Sequence, residues 1–484
     1  MTQPSNKRIA VIGGGISGVT AAWQLAQHDR QFGGLDVTLY EASPRLGGTV
    51  ETILRDGFVI DCGPDGWVTD KPWARELARE LGLHTKLIAS NDATRVTYIV
   101  RDGQLVPLPG GMRMMVPSSL SDPALDALAD SPLFTPAAIA AYAAEPARAA
   151  ELKASAPAHD ESIATFVRRH FGDEVLTKVA APLLRGVFGG DVATLSVRAV
   201  MPAFVRMERE HGSLILALQS AQQPSADPCA ADPGQAEKPS IFTTLEGGTQ
   251  ALIDRMAAEL PPDWIRLNSP ITSIARAGAG FLLTTPSGPQ PYDALILATP
   301  AHVTAGLIPK ILGPRAAQLH QMDATSAVVA AFAFTQPFDL PPGFGFLVPA
   351  GESSHLLAGT FADQKFPGRV PPGSRLLRAF FGGAQAPAIA ALPDPEIAAG
   401  ALTELTQLLG PLPDPSFHIV RRWPRSLPQY AVGHLDRIAE LDELLRPHPT
   451  LRLIGNAYRG VGLPDLIRDA RAAARNLLET LRTG

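Results

Sequence analysis

The sequence predicts an α/β protein in which a discontinuous Rossmann-like dinucleotide-binding domain carries a mixed α+β substrate domain and a helical subdomain. Three observations predict it. The apolar run Arg8-Ile-Ala-Val-Ile12 passes straight into glycines at 13, 15 and 18, the pattern of a buried parallel strand entering a helix. The segment Asp36-Val-Thr-Leu-Tyr40 supplies a second strand that ends in Glu41. Near the other end of the chain, Leu451-Arg-Leu-Ile454 and the amphipathic stretch from Pro464 return to the same texture after long regions of different character.

The glycines have separate physical tasks. Gly13 permits the tight turn, Gly15 lets backbone approach a pyrophosphate, and Gly18 lets the helix pack closely on the strand. Phosphates would sit on the helix N-terminus beside Gly14, Ile16 and Ser17, where free N–H groups and the helix dipole favour negative charge. Thr20 to Gln27 continues the helix. A carboxylate at Glu41 accepts both hydroxyl hydrogens of an adenosine ribose.

At 484 residues the chain is long enough for two or three domains and a large core. A formal net charge of -5, with 18% charged residues, gives no basic footprint for nucleic acid. The two cysteines, Cys62 and Cys229, match neither metal spacing nor a disulfide framework, so no metal is expected and a reducing cytoplasm is the natural compartment. The polar start and the run of three glycines are unlike a signal peptide, and no stretch reaches the roughly 18 apolar residues of a membrane helix. Peripheral contact with the cytoplasmic membrane stays open, as does a homodimer.

In chain order, Gly57 to Cys62 alternates like a strand, and Lys71 to Leu81 is helical. Arg95 to Val100 and Leu105 to Leu108 read as a hairpin turning at Asp102-Gly103. Methionines among prolines then lead into alanine-rich helical sequence up to His211, interrupted by the small residues of Gly186-Val-Phe-Gly-Gly-Asp191, which suit backbone lying close to a ligand. From Gln222 to Pro239 there is little to bury, and a disordered loop is expected. Strands return at Ile265, Ile271, Phe281 and Tyr292, and a strand-rich stretch with one helix, Pro395 to Leu409, runs from Ala301 to about Arg421. The final helix carries apolar residues at 466, 467, 470, 473, 474, 477, 478 and 481, a single buried stripe. The expected division is 1–90, 241–300 and 422–484 for the dinucleotide domain, 91–110 and 301–421 for the substrate domain, 111–220 for the helical subdomain, and 221–240 for the loop.

Past Glu41, the residues Glu41-Ala42 with Arg45, Gly47-Gly48 and then Gly63-Pro64-Asp65-Gly66 resemble the FAD-dependent amine oxidase superfamily. Gly186-Val-Phe-Gly-Gly-Asp191, Arg422-Trp423, Pro428-Gln-Tyr430, Gly433-His434 and Tyr458-Arg-Gly-Val-Gly462 narrow the resemblance to the oxygen-dependent protoporphyrinogen and coproporphyrinogen III oxidase family. It spans the whole chain. It implies a non-covalent FAD lined by Gly13, Gly14, Gly15, Ile16, Ser17, Gly18, Glu41, Ala42, Arg45, Gly47, Gly48, Gly63, Pro64, Asp65, Gly66, Ile271, Trp423, Val461, Gly462 and Leu463. The N-terminus of the last helix would then favour negative charge on a reduced flavin ring. Substrate would meet Arg95 through a propionate, Leu347 and Phe366 as apolar clamps, Gly190 as a close backbone contact, and Lys71 as in forms that use coproporphyrinogen. Gly189 stands where relatives often carry alanine.

The implied reaction is a six-electron dehydrogenation of a porphyrinogen, coproporphyrinogen III or protoporphyrinogen IX, with molecular oxygen reduced to hydrogen peroxide. The cofactor carries that chemistry. The sequence offers no Ser/His/Asp array and no assignable general base, and His302, His355 and His434 read as packed or surface histidines. An amine oxidase, a carotenoid desaturase and a non-catalytic FAD-binding protein are the alternatives.

Overall fold

The computed structural model describes residues 6–222, 240–352 and 354–483. Its organising layer is a five-stranded sheet in the order Ile265–Arg266, Leu35–Tyr40, Lys7–Ile12, Ala294–Leu297, Leu451–Leu453. All neighbours run parallel. Apolar residues occupy both faces because both are covered. Ile9, Val11, Val37 and Leu39 face the helices Ile16–Phe32, Gln250–Glu259 and Leu463–Thr483, whereas Ala10, Ile12, Leu295 and Leu297 face the antiparallel sheet Ser273–Ala277, Gly280–Thr285, Gly288–Tyr292. The stripe on the last helix is buried as its spacing requires, with Ala473 and Leu481 at its margin.

A second, seven-stranded sheet runs Phe417–Pro428, Ala324–Phe334, Arg375–Phe381, Ala358–Phe361, Gly345–Leu347, Thr97–Arg101, Gln104–Pro107. The expected hairpin closes its far edge, with positive φ at both Asp102 (51°) and Gly103 (73°), as its right-handed twist demands. Helix Asp394–Leu409 covers one face. Two features depart from the sequence reading. Phe417–Pro428 is one strand of 12 residues, so the boundary expected before residue 422 falls in mid-strand. Residues from 301 to 320 form short helices, Ala301–Leu307, Pro309–Leu312 and Ala317–His320, where strand-rich sequence was expected, because they pack on the second face of the parallel sheet.

Between the two sheets in sequence lies a bundle of short helices. Ala221 and Gln222 finish the helix Leu214–Gln222, and residues 223–239 of the expected loop, with Cys229, lie outside the described residues. Cys62 is buried and unpaired, and burial pushes its thiol up to about 11.

The bundle is pinned by charge. His170 on the helix Ile163–Val175 is fully buried between two carboxylates, Nδ1 at 2.9 Å from Glu145 and Nε2 at 3.1 Å from Glu208. Arg169 bridges Glu208 to Glu161, and Glu145 also accepts from Ser213 and the Leu214 amide. Burial alone would lower the His170 pKa, but the two carboxylates win and raise it above the ordinary 6.5. For Glu208 burial opposes ionisation, yet His170 and Arg169 hold its pKa below the ordinary 4.5. A raised histidine contributes stability that is complete below its unfolded pKa and is lost as pH rises through the folded value; a depressed carboxylate contributes stability lost as pH falls through its folded value. Thermal stability of the bundle is therefore expected to be greatest between about pH 4.5 and 6.5 and to decline on both sides. His170→Leu should cost about 3 to 5 kcal/mol, the range for breaking a buried ion pair, and flatten the alkaline limb. Melting curves across pH check this, and an unchanged alkaline limb in the variant contradicts it.

Candidate functional site

The loop joining Lys7–Ile12 to Ile16–Phe32 is shaped by contacts that only glycine allows. At Gly13 (φ 103°) a Cβ would lie 2.7 Å from the Ala298 carbonyl oxygen, and at Gly18 it would lie 1.8 Å from the Gly13 oxygen, so this helix seats directly on the turn. Gly15 differs. A Cβ there would meet nothing nearer than the Gly47 oxygen at 4.0 Å. Space is therefore left over the one glycine expected to face a pyrophosphate. The amides of Ser17 and Gly18 donate to no group among the described residues, which leaves the helix N-terminus free for an anion.

Three further segments close on this loop. Glu41 follows Leu35–Tyr40, and its carboxylate accepts from the Gly14 amide at 2.6 Å and the Ser43 amide at 2.8 Å. Gly47 donates its N–H to the Gly14 oxygen at 2.8 Å, and a Cβ at Gly48 would stand 3.3 Å from the Gly15 Cα. Arg45 gathers the carbonyls of Leu46, Gly48 and Val50 and lies 5.8 Å over the Trp423 ring. Ala42 is exposed, and Ile271 is half-buried against the core on the second face of the sheet.

Gly63 to Gly66 follow the strand Phe58–Asp61. Gly63 lies so close to the Thr49 oxygen that a Cβ would come within 1.9 Å. The Trp423 indole donates to the Cys62 carbonyl at 2.8 Å, and the Pro64 carbonyl accepts from Thr249 at 2.9 Å. Asp65 turns inward to Lys365 (2.9 and 3.0 Å) and Arg378 (3.0 Å). Burial would raise its pKa, but these cations overcome that and hold it at about 2. Arg378 also donates to the Gly63 carbonyl, and Arg369 lies 3.3 Å from Asp61. Three cations thus face two carboxylates beneath this loop. At the last segment, Val461 is 37% exposed, Leu463 is buried, and the amides of Val461, Gly462 and Leu463 have no acceptor among the described residues.

On the side of the seven-stranded sheet, Arg95 is exposed and its guanidinium has no partner among the described residues. Its backbone is held: the Arg95 amide donates to the Asp92 oxygen at 3.3 Å, Asp92 accepts from the Ile241 amide at 2.9 Å, and Asn91 donates to the Lys365 oxygen at 3.0 Å. Leu347 is half-buried, and a Cβ at Gly186 would stand 2.4 Å from its Cδ2. Gly189 has φ 60° at the end of helix Ala181–Phe188, and a Cβ at Gly190 would meet the Gln429 Oε1 at 1.9 Å.

A glycine cradle left open at Gly15, free amides at two helix N-termini and a carboxylate at the end of the second strand fit a dinucleotide. The family model for flavin-containing amine oxidoreductases matches residues 16–478. The chain belongs to this family. A protein of Bacillus subtilis (strain 168) named coproporphyrinogen III oxidase is 32% identical over 98% of both chains. The Arabidopsis thaliana protein named protoporphyrinogen oxidase 1, chloroplastic, is 28% identical over 96% of this chain and 86% of its own. A crystal structure of an Exiguobacterium sp. 255-15 protein assigned as a protoporphyrinogen oxidase superposes with a TM-score of 0.82, at 31% identity, covering 99% of this chain and all of that one.

As a flavin oxidoreductase of this family, the chain departs from the sequence reading at two substrate residues. Lys71 is taken by Asp465 at 2.6 Å, in the first turn of helix Leu463–Thr483, so it is not a free cation awaiting a propionate. An acidic group is favoured at that helix N-terminus, and Lys71 neutralises it. Phe366 is 1% exposed, its ring edge 3.0 Å from where a Gly66 Cβ would stand and 5.5 Å beneath the Arg369 guanidinium. It supports the loop and has no face to offer a ligand. His434 is packed, and His355 is exposed against Glu404 at 2.9 Å, a carboxylate partner that sequence spacing had not indicated. Sequence reasoning also missed Lys365, Arg369 and Arg378. Lys365 and Arg378 find Asp65 across some 300 residues of chain, 300 and 313 apart by number, and nothing in their local sequence separates them from surface cations. No helix among the described residues is long and apolar enough to cross a membrane.

Proposed function

We propose that the chain is an FAD-dependent porphyrinogen oxidase that takes coproporphyrinogen III to coproporphyrin III with molecular oxygen as acceptor. What supports this best is end-to-end similarity, over 98% of both chains, to the B. subtilis protein named for that activity, on a site that fits a dinucleotide. When bound, the flavin supplies three successive two-electron oxidations, and oxygen carries the electrons away as hydrogen peroxide.

The chain's own residues bind and orient. Gly13, Gly14, Gly15 and Gly18, with the amides of Ile16 and Ser17, would hold the pyrophosphate, and Glu41 with Ala42 the adenosine. Arg45, Gly47, Gly48, Gly63 to Gly66, Ile271, Trp423 and Val461 to Leu463 would line the remainder, and no covalent link is proposed. Arg95 would pair a propionate, and Leu347 and Gly190 would lie against the tetrapyrrole. No side chain is assigned as general base. Residues 1–90, 241–300 and the chain beyond the strand Phe417–Pro428 would form the FAD unit, with 91–110 and 301 onward as the substrate unit and 111–220 as a helical unit touching the cytoplasmic membrane face.

Purified yellow protein should oxidise coproporphyrinogen III faster than protoporphyrinogen IX in air, with about three molecules of hydrogen peroxide formed per porphyrin. Porphyrin fluorescence and a peroxide assay, run side by side, read it. A flavin-loaded protein that oxidises neither substrate contradicts the proposal.

A further inference from the structure

The segments Pro428-Gln-Tyr430 and Gly433-His434 are among those that carry the resemblance noted in the sequence, yet none of the roles above accounts for them. Both end in buried rings, Tyr430 at 5% and His434 at 2% exposure, stacked at 4.0 Å with 13° between planes. The Tyr430 hydroxyl donates to the Asn456 carbonyl at 2.6 Å and accepts the Gly460 amide at 2.8 Å. One oxygen therefore spans the turn that leads into helix Leu463–Thr483. His434 Nε2 lies 2.8 Å from the Tyr458 carbonyl, the residue between those two anchor points. A carbonyl only accepts, so Nε2 carries the proton. Burial keeps the imidazole neutral and the phenol protonated, the forms these bonds need.

This turn needs such pins. It has no strand or helix to hold it between Leu453 and Leu463, and it contains glycines at φ 128° (Gly455) and 146° (Gly460). At Gly460 a Cβ would stand 2.6 Å from the Asp465 Cβ, so the backbone passes tightly against the first helical turn. The pins rest on a firm base. Asn456 Nδ2 donates to the Ser426 carbonyl at 2.9 Å, Ser196 donates its amide to the Tyr430 carbonyl at 2.7 Å, and Gly433 donates to Asp160 at 2.9 Å. The segment thus ties the turn to the seven-stranded sheet and to the helical bundle at once.

We propose that Tyr430 and His434 are positioning residues of the flavin turn: by fixing Asn456, Tyr458 and Gly460 they set the direction of the free amides at Val461, Gly462 and Leu463, and with it the affinity and reduction potential of the bound flavin. The inference rests on the reading above that this turn meets the flavin. Amides at a helix N-terminus favour negative charge, so their alignment stabilises the reduced, more negative flavin over the oxidised one.

The test uses full-length holoprotein with Tyr430→Phe, His434→Leu and His434→Gln. FAD binding to the deflavinated protein, the flavin reduction potential against a reference dye, and KM for coproporphyrinogen III are measured for each. Tyr430→Phe strands the Gly460 amide and should weaken FAD binding about tenfold, within the cost of an unsatisfied buried donor, with a lower potential and an unchanged KM. His434→Leu should do the same, and His434→Gln, which keeps a donor for the Tyr458 carbonyl, should recover most of the loss. Wild-type affinity and potential in Tyr430→Phe overturn the proposal. So does a lowered melting temperature with an unaltered flavin potential in all three variants, because the pair would then be structural only. If the potential shifts while the wild type oxidises no porphyrinogen, this inference stands and the substrate reading falls.

Discussion

Gly15→Val is expected to fold and to purify without flavin. The backbone at Gly15, φ −70° and ψ 179°, is extended and open to any residue, and a Cβ there has no protein atom nearer than 4.0 Å. The deflavinated variant should therefore melt close to the deflavinated wild type. The branched side chain instead fills the space beside the free amides of Ser17 and Gly18, where a pyrophosphate would lie. Gly18→Ala makes the opposite comparison. Its methyl would stand 1.8 Å from the Gly13 oxygen, so helix and turn must part, and overpacking of this kind costs about 1 to 3 kcal/mol or more. Flavin absorbance per protein, set beside melting temperature, separates the two. A Gly15→Val protein that stays fully yellow would show that the phosphates bind elsewhere.

Arg95→Ala is expected to lower kcat/KM by about 2 to 4 kcal/mol, roughly 30-fold to 1000-fold, if the guanidinium makes a bidentate pair with a propionate shielded from water. The structure leaves this guanidinium exposed and without a partner among the described residues, while the Arg95 amide donates to the Asp92 carbonyl and the preceding Asn91 amide to the Lys365 carbonyl. Truncation should thus leave the fold and the FAD content intact. Arg95→Lys should restore only part, since an ammonium cannot reproduce the planar fork. Lys71→Ala supplies the contrast. Its ammonium neutralises Asp465 in the first turn of helix Leu463–Thr483, so on the proposed reading its effect should appear in flavin retention before it appears in KM. Wild-type kcat/KM in Arg95→Ala would mean that the arginine is merely solvated.

What could be read from the sequence was local. A strand, a glycine turn and a helix lie within about 25 residues, and Gly18 is demanded by the Gly13 oxygen only five residues back, so the loop of Gly13 to Gly18 and the carboxylate of Glu41 stand where the spacing implied. The amphipathic stripe of the last helix is local in the same sense, since a period of about 3.6 residues already selects its buried face. Strand existence was legible in the hairpin at Asp102-Gly103 for the same stereochemical reason.

The tertiary structure alone decided which side chains share a charge and which rings are covered. Asp65 meets Lys365 and Arg378, Lys71 meets Asp465, and His170 meets Glu145 and Glu208 only because the topology carries distant segments together. Phe366 has the composition of a clamp, yet the chain buries it behind Gly66. Tyr430 and His434 are visible in sequence as a motif, but their work at Gly460 and Tyr458 depends on a turn 24 to 30 residues further on. Periodicity and turn stereochemistry are properties of neighbouring residues. Pairing and burial are set by which surfaces the fold brings face to face, so they first become visible when the two sheets and the bundle are assembled.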